Sequence, residues 1–249
     1  MMNSIRNLFF RLRYCFKGFP VFMNGKPFRI DESLRRWNLD AEAPMQREFD
    51  KWVRKGDHCV DIGANFGMHT LYLADLVGDA GEVVAFEPVP RNLALLERNI
   101  KLNAYAKRTS IVPKLASNSP LASLEIEIPE KGVAVTASIS SKRISHFGIR
   151  APNLRLDDFF SIYSTPLRLM KIDVEGAELE VLRGAEKVLK RHKPILIIEV
   201  HGFALPNFGA DVGMLRDFLS RLGYVENIIW LGSDRFDQYF QATYTQSCA

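Results

Sequence analysis

The run Asp61-Ile62-Gly63-Ala64-Asn65-Phe66-Gly67 constrains this chain more than any other stretch. A β-prone segment, His58-Cys59-Val60, precedes it, and an apolar segment with helical spacing, His69 to Val77, follows. The run is therefore a strand–turn–helix junction. A further strand, Glu82 to Phe86, ends in Glu87-Pro88. A βαβ unit that binds a nucleoside needs these parts: a glycine turn, a helix N-terminus, and an acid at the next strand tip that can take both ribose hydroxyls. Gly63 and Gly67 are read as keeping Cβ atoms out of a ligand's path, with Asn65 between them as a hydrogen-bonding group. The turn departs from the dinucleotide fingerprint. Asp61 stands before the glycines, where it would repel a diphosphate and attract an ammonium.

The rest of the chain extends this unit. At 249 residues, 47% apolar and 25% charged, it suits one α/β domain, or one domain with an arm. The breakers Gly18, Pro20, Gly25, Pro27 and Pro44 predict irregular chain from Phe19 to Pro44, so residues 1–44 are read as arm and linker and 45–249 as the domain. A helix is expected from Met45 to Lys55. Strands are expected at 58–62, 82–86, 110–114, 167–173, 195–200, 224–231 and 239–245, with helices between most of them. That alternation predicts a seven-strand, mostly parallel sheet with helices on both faces. The segment 116–155 breaks the rhythm. Its runs Ala122 to Ile128 and Val133 to Ser140 predict an inserted β-hairpin, expected to cover the acceptor side of the site.

Charge is uneven. No acid precedes Asp31, while Arg6, Arg11, Arg13, Lys17, Lys26 and Arg29 do. Ile5, Leu8, Phe9, Leu12 and Phe16 fall on one helical face, so residues 1–19 read as a basic amphipathic helix suited to peripheral contact with an anionic membrane. It is too short and charged to span a bilayer and lacks a signal-peptide layout. The scattered cysteines Cys15, Cys59 and Cys248 form neither a disulfide framework nor a zinc site, and a reducing, cytoplasmic setting is the simplest expectation. The net charge of +4 does not imply a nucleic-acid partner, and none is expected.

Two further runs carry acids to the same sheet edge. In Lys171-Ile172-Asp173-Val174-Glu175-Gly176-Ala177-Glu178, Asp173 ends a strand that should neighbour the first, and Glu175 shares its parity. Glu178 suits the first turn of the next helix. In Ile198-Glu199-Val200-His201, Glu199 and His201 alternate to one side. Such a cleft can hold a cation or a proton-transfer base. Glu175, Glu199 and His201 are the candidates, His201 because its ordinary pKa lies near neutrality. No compact metal motif is present, so no metal is predicted. Nucleophilic catalysis has little support, since Cys59 belongs to a core strand and no G-x-S-x-G elbow occurs.

Together, Gly56-Asp57, the Asp61 to Gly67 turn with His69-Thr70, Phe86-Glu87-Pro88, Leu156-Asp157-Asp158, Met170 to Glu178 continuing through Val181 to Ala185, and Ile197 to His201 resemble the FkbM family of S-adenosylmethionine-dependent methyltransferases. The resemblance covers about Phe49 to His201. It implies a class I, Rossmann-like α/β fold with seven strands, the last antiparallel. It implies S-adenosylmethionine as methyl donor and a hydroxyl of a small molecule, sugar or glycan as acceptor. By motif match, Asp61, Gly63, Ala64, Asn65, Gly67 and Thr70 would surround the methionine part. Glu87 would hold the ribose, and Asp173 would lie beside the transferring methyl. The competing expectations are a nicotinamide dehydrogenase, disfavoured by the missing third fingerprint glycine, and a catalytically silent module of the same fold at a membrane or partner surface.

Overall fold

A computed structural model describes residues 10, 13–128, 138–139, 147–232 and 239–247. Most of the expected amphipathic arm lies outside these residues. No helix among the described residues is long and apolar enough to cross a membrane.

The first difference from expectation is in the segment read as irregular linker. Phe19–Met23 (β1) and Lys26–Ile30 (β2) form an antiparallel hairpin across Asn24-Gly25. An Asn-Gly pair between alternating apolar residues is a hairpin signal, and the prolines at Pro20 and Pro27 are tolerated because the ribbon has only two strands, both of them edges. Met23, Phe28, Ile30 and Leu34 are buried in the same apolar cluster as Phe49, Leu71 and Tyr72. Asn99 fastens this segment to the glycine turn: its Oδ1 accepts from Asp31 N at 2.7 Å and its Nδ2 donates to Phe66 O at 2.7 Å.

The strands His58–Ile62 (β3), Glu82–Phe86 (β4) and Thr109–Val112 (β5) follow, with helices Met68–Val77 and Pro90–Leu102 between them. Leu115–Ala116 (β6), Ser123–Ile128 (β7), Ser138–Ile139 (β8) and Phe147–Leu154 (β9) make a separate small sheet in the order β6-β9-β7-β8. The expected hairpin partner of β7 was the run 133–140, most of which lies outside the described residues. The long antiparallel partner is β9, which pairs with β7 from Ser123↔Pro152 to Ile128↔Phe147. Pro152, a residue that argues against a strand, obscured it.

The remaining strands are Leu167–Ile172 (β10), Ile195–Val200 (β11), Tyr224–Leu231 (β12) and Phe240–Gln246 (β13). Among the described residues the central sheet has seven strands in the order β12-β13-β11-β10-β3-β4-β5. β13 is antiparallel to both neighbours, while β11, β10, β3, β4 and β5 are parallel. The expected class I arrangement is therefore present. β3, β10 and β11 sit at its centre, which explains their near-continuous apolar runs: both faces are covered. The helix expected over Glu178 to Val188 is two helices, Glu178–Arg183 and Glu186–His192. The break falls at Gly184, where a Cβ would lie 2.4 Å from Ser117 O. Asp157 secures the second helix, its Oδ1 accepting from Val188 N at 3.0 Å.

The carboxyl ends of β3, β4, β10 and β11 converge where the strand order reverses, the usual ligand crevice of such sheets. β3 runs directly into Gly63, at φ +76°. A Cβ there would stand 1.8 Å from the backbone oxygen of Asp173, and one at Gly67 would stand 2.5 Å from Leu96 Cδ1. These contacts give both glycines a task beside the ligand-path reading: they let neighbouring chain approach. Gly63→Ala should therefore cost about 2–4 kcal/mol, combining left-handed strain with a backbone clash. Gly25→Ala, at φ +79° with nothing within 4 Å, should cost about 1–2 kcal/mol. Equal losses of denaturation midpoint in urea would show that the Asp173 contact is not the reason for Gly63.

Candidate functional site

Lys171 sits near the end of β10, directly in register with Asp61 of β3. Both side chains are buried. Lys171 Nζ lies 3.1 Å from Asp61 Oδ1 and 3.5 Å from Asp173 Oδ2, and donates to Gly63 O at 2.9 Å. Asp61 Oδ2 accepts from Thr70 Oγ1 at 2.6 Å. Burial opposes the charge on Lys171, but Asp61 and Asp173 hold its pKa above the ordinary lysine value. Asp61, Thr70 and Gly67 stand one layer behind the residues that border the two clefts of the site. They lock the turn from behind, and Asp61 is engaged by an ammonium of the protein itself.

Two clefts meet in front of that lock. The narrower one is bordered by Phe86, Glu87, Asn92, Leu115, Ala116 and Ala177. Glu87 is buried beneath it. Its Oε2 accepts from Asn65 N at 2.8 Å and its Oε1 from Val89 N at 2.8 Å. Burial pushes this carboxyl up to about 7 against the pull of those two N–H groups. Oε1 also accepts from Asn92 Nδ2 at 3.4 Å, so Oε2 is the oxygen that keeps room for another donor. The wider cleft encloses about 290 Å³ and is bordered by Trp37, Glu42, His69, Trp230, Tyr239 and Gln241, with Ala64 of the turn. Gly63, Asn65, Asp173 and Glu175 border both clefts.

The insertion expected to cover the acceptor side is seen at its root, and its tip, residues 129–137 and 140–146, lies outside the described residues. Leu115 and Ala116, at the root of the insertion, border the narrower cleft. The segment around residues 37–44 and the β12–β13 end frame the wider one.

The acids expected to gather do gather. Asp173, Glu199 and His201 bring side-chain atoms within 4.8 Å of one another. Glu199 accepts from Gln241 Nε2 at 2.8 Å and from the Tyr239 hydroxyl. Burial and the nearby Asp173 raise its pKa. His201 stands behind Glu175, bordering neither cleft. Its Nδ1 lies 2.9 Å from Glu178 Oε1, and its Nε2 lies 3.5 Å from Glu175 Oε2. Burial works against its charge, but Glu178, Asp173 and Glu175 raise it to about 10. That rise favours the imidazolium and weighs against His201 as the base, in favour of Glu175. Glu175, at φ +54°, is raised to about 7 by burial and by neighbouring carboxylates, against the pull of His201. A base poised near the working pH suits proton abstraction from a hydroxyl.

Sequence reasoning assigned no role to Lys171 and read Glu178 only as a helix-terminus residue. Glu178 does accept from Gly176 N at 3.0 Å, but the same oxygen holds His201. A lysine near the end of a largely apolar strand, beside the Asp173 that follows it, was the available signal, since lysine is almost never fully buried without a partner. Tyr239, Gln241 and the Glu42–His69 pair, 2.8 Å apart, had no local signature. Asn65 Oδ1, His69 Nδ1 and Gln241 Oε1 are buried in the clefts' walls with no partner among the described residues. Buried polar atoms are normally satisfied, so these mark where a polar ligand would bind.

Residues 61–226 match the methyltransferase FkbM domain. Methyltransferase 1 of Beauveria bassiana is 29% identical over 160 residues, covering 51% of this chain and 57% of that protein, so the match spans little more than half of its relative. Hexuronic acid methyltransferase AglP of Haloferax volcanii is 27% identical over 179 residues, covering 69% of this chain and 67% of that protein. Fibrillarin from Aeropyrum pernix, solved with natively bound S-adenosyl-L-methionine, has a TM-score of 0.52 at 15% identity, covering 92% of this chain and 83% of that one. That likeness establishes a shared fold.

Removing one partner of a buried ion pair leaves the other uncompensated, which typically costs about 3–5 kcal/mol. Lys171→Met should show a loss of that size in chemical denaturation. Adding Asp61→Asn to it should recover part of the loss, and a purely additive double variant would contradict the pairing.

Proposed function

The chain belongs to the FkbM family of S-adenosylmethionine-dependent methyltransferases, and on that premise we propose that it methylates a hydroxyl of a small molecule, sugar or glycan. One observation carries the reading: two clefts join at Asp173 and Glu175, one floored by a ribose-type acid and the other open to an acceptor. A ligand with a nucleoside at one end and an amino acid at the other fits such a channel. The unpartnered Asn65 Oδ1 at the junction favours a polar group there. The Haloferax relative is named for a sugar acid, which supports a sugar-class acceptor.

S-adenosylmethionine, when bound, would supply a methyl group on a sulfonium. Glu87 would accept a ribose hydroxyl through the free capacity of its Oε2. Gly63, Ala64 and Asn65 would lie along the methionine end. Asp173 would sit near the positive charge, with Lys171 Nζ 3.5 Å from its Oδ2. The acceptor hydroxyl would give its proton to Glu175 as its oxygen takes the methyl, leaving a neutral thioether. The imidazolium of His201, held by Glu178, would orient Glu175 and temper its basicity. Glu199, fixed by Tyr239 and Gln241, would accept a hydrogen bond from the acceptor.

Glu87→Ala should weaken binding of S-adenosylhomocysteine by about 1.5–3 kcal/mol, the scale of a hydrogen bond to a charged partner. Unchanged affinity in titration calorimetry, with the fold intact, would remove Glu87 from the site. Glu175 acts as base only when deprotonated, so kcat should rise with pH through about 7. Glu175→Gln should lower kcat by about 10²–10⁴-fold and abolish that rising limb. A variant that keeps the limb would exclude Glu175 as the base.

A further inference from the structure

We propose that the wider cleft selects a polyhydroxylated ring that carries no negative charge. This rests on the methyl-transfer reading and narrows its substrate class. Charge is the first ground. Asp40, Glu42, Asp173, Glu175 and Glu199 all border the cleft. Lys171 and the imidazole of His69 also border it. Lys171 is matched by Asp61 from behind, and His69 Nε2 is held by Glu42. An acceptor bearing a carboxylate or phosphate would enter a field of its own sign with no free cation among these lining groups to receive it. Like-charge placement of this kind costs several kcal/mol.

The second ground is the mixture of aromatic faces and hydrogen-bond acceptors. Trp37 borders the cleft from the N-terminal segment, with its ring edge-on to Phe66 at 4.6 Å. Trp230 and Tyr239 border it from the other end of the chain, their rings 5.2 Å apart and nearly perpendicular. Phe203, 63% exposed, continues this group, 6.3 Å from Tyr239. A saturated ring can lay its C–H face on such surfaces while its hydroxyls donate to carboxylates. The third ground is independent of both. Gln241 and His69 are more than nine-tenths buried, and Gln241 Oε1 and His69 Nδ1 lack partners among the described residues. Both residues border this cleft, so its wall holds polar atoms that a neutral ring's hydroxyls can satisfy.

The test uses the full chain loaded with S-adenosylhomocysteine, with loading measured first by calorimetry. A methyl hexopyranoside, its amino-sugar counterpart and the matching hexuronide are then compared at low salt by saturation-transfer NMR and titration. The neutral and amino sugars should bind, with the hexuronide about tenfold weaker or more. Added salt should narrow the gap, because it screens the repulsion. In the double variant Asp40→Asn, Glu42→Gln, the ratio of hexuronide to neutral-sugar affinity should rise about tenfold. A hexuronide that binds the native chain as well as the neutral sugar, or a loaded protein that binds neither uncharged nor amino ring, overturns this inference and leaves the methyl-transfer reading standing. Failure to bind S-adenosylhomocysteine overturns both. Exclusion of the hexuronide that survives in the double variant overturns the assignment of selectivity to these acids.

Discussion

Lys171 Nζ reaches Asp61, Asp173 and the carbonyl of Gly63, so a single buried ammonium joins the first strand, the glycine turn and the end of β10. An isolated ammonium could not be buried this deeply, because its desolvation would drive off the proton. Two carboxylates make the burial tolerable, and the lysine makes theirs tolerable in return. Thr70 extends the lock into the helix Met68–Val77. The close approach of Gly63 to Asp173 then follows from geometry. The turn is drawn against β10 by the same ammonium that lies beside Asp173 at the mouth of the site.

Around this lock, environment separates groups that would otherwise titrate together. Glu178 and Glu175 hold His201 protonated, raised to about 10. Glu175 lies among other carboxylates and rises to about 7. Neighbouring groups with diverging pKa values are a common basis for acid–base chemistry at neutral pH. Glu175 also occupies a left-handed backbone conformation beside Gly176, at φ +105°. Non-glycine residues in that region are uncommon and cluster where surroundings over-determine them, as at ligand clamps and active sites.

The sheet and the donor half of the site were legible because local chemistry encodes them. β10 and β11 are buried on both faces and read as apolar runs, and the turn and Glu87 carry a spaced signature. The misses have physical causes. β1 and β2 were hidden by prolines that an isolated two-strand ribbon accommodates, and β9 by Pro152. The role of His201 could not be read, because its pKa depends on Glu178 and Glu175, and the alternation of a strand says nothing about which carboxylate lies behind a ring. Part of the wider cleft's wall comes from Trp37 to Pro44 and part from Trp230, Tyr239 and Gln241, which lie far apart in sequence and meet through the antiparallel return of β13.

That division of walls has an evolutionary consequence. The residues that would hold the methyl donor lie on the central strands, the glycine turn and the lysine lock, where one change disturbs several contacts. The residues that frame the acceptor belong to peripheral segments with few obligations to that lock; Trp37, Asp40 and Trp230 could be exchanged without moving Lys171. Acceptor preference can therefore drift quickly on a nearly invariant donor half. Two chains that share every motif of this one need not share a substrate, and their kinship in substrate is better judged from residues 37–44 and 230–241 than from the motifs.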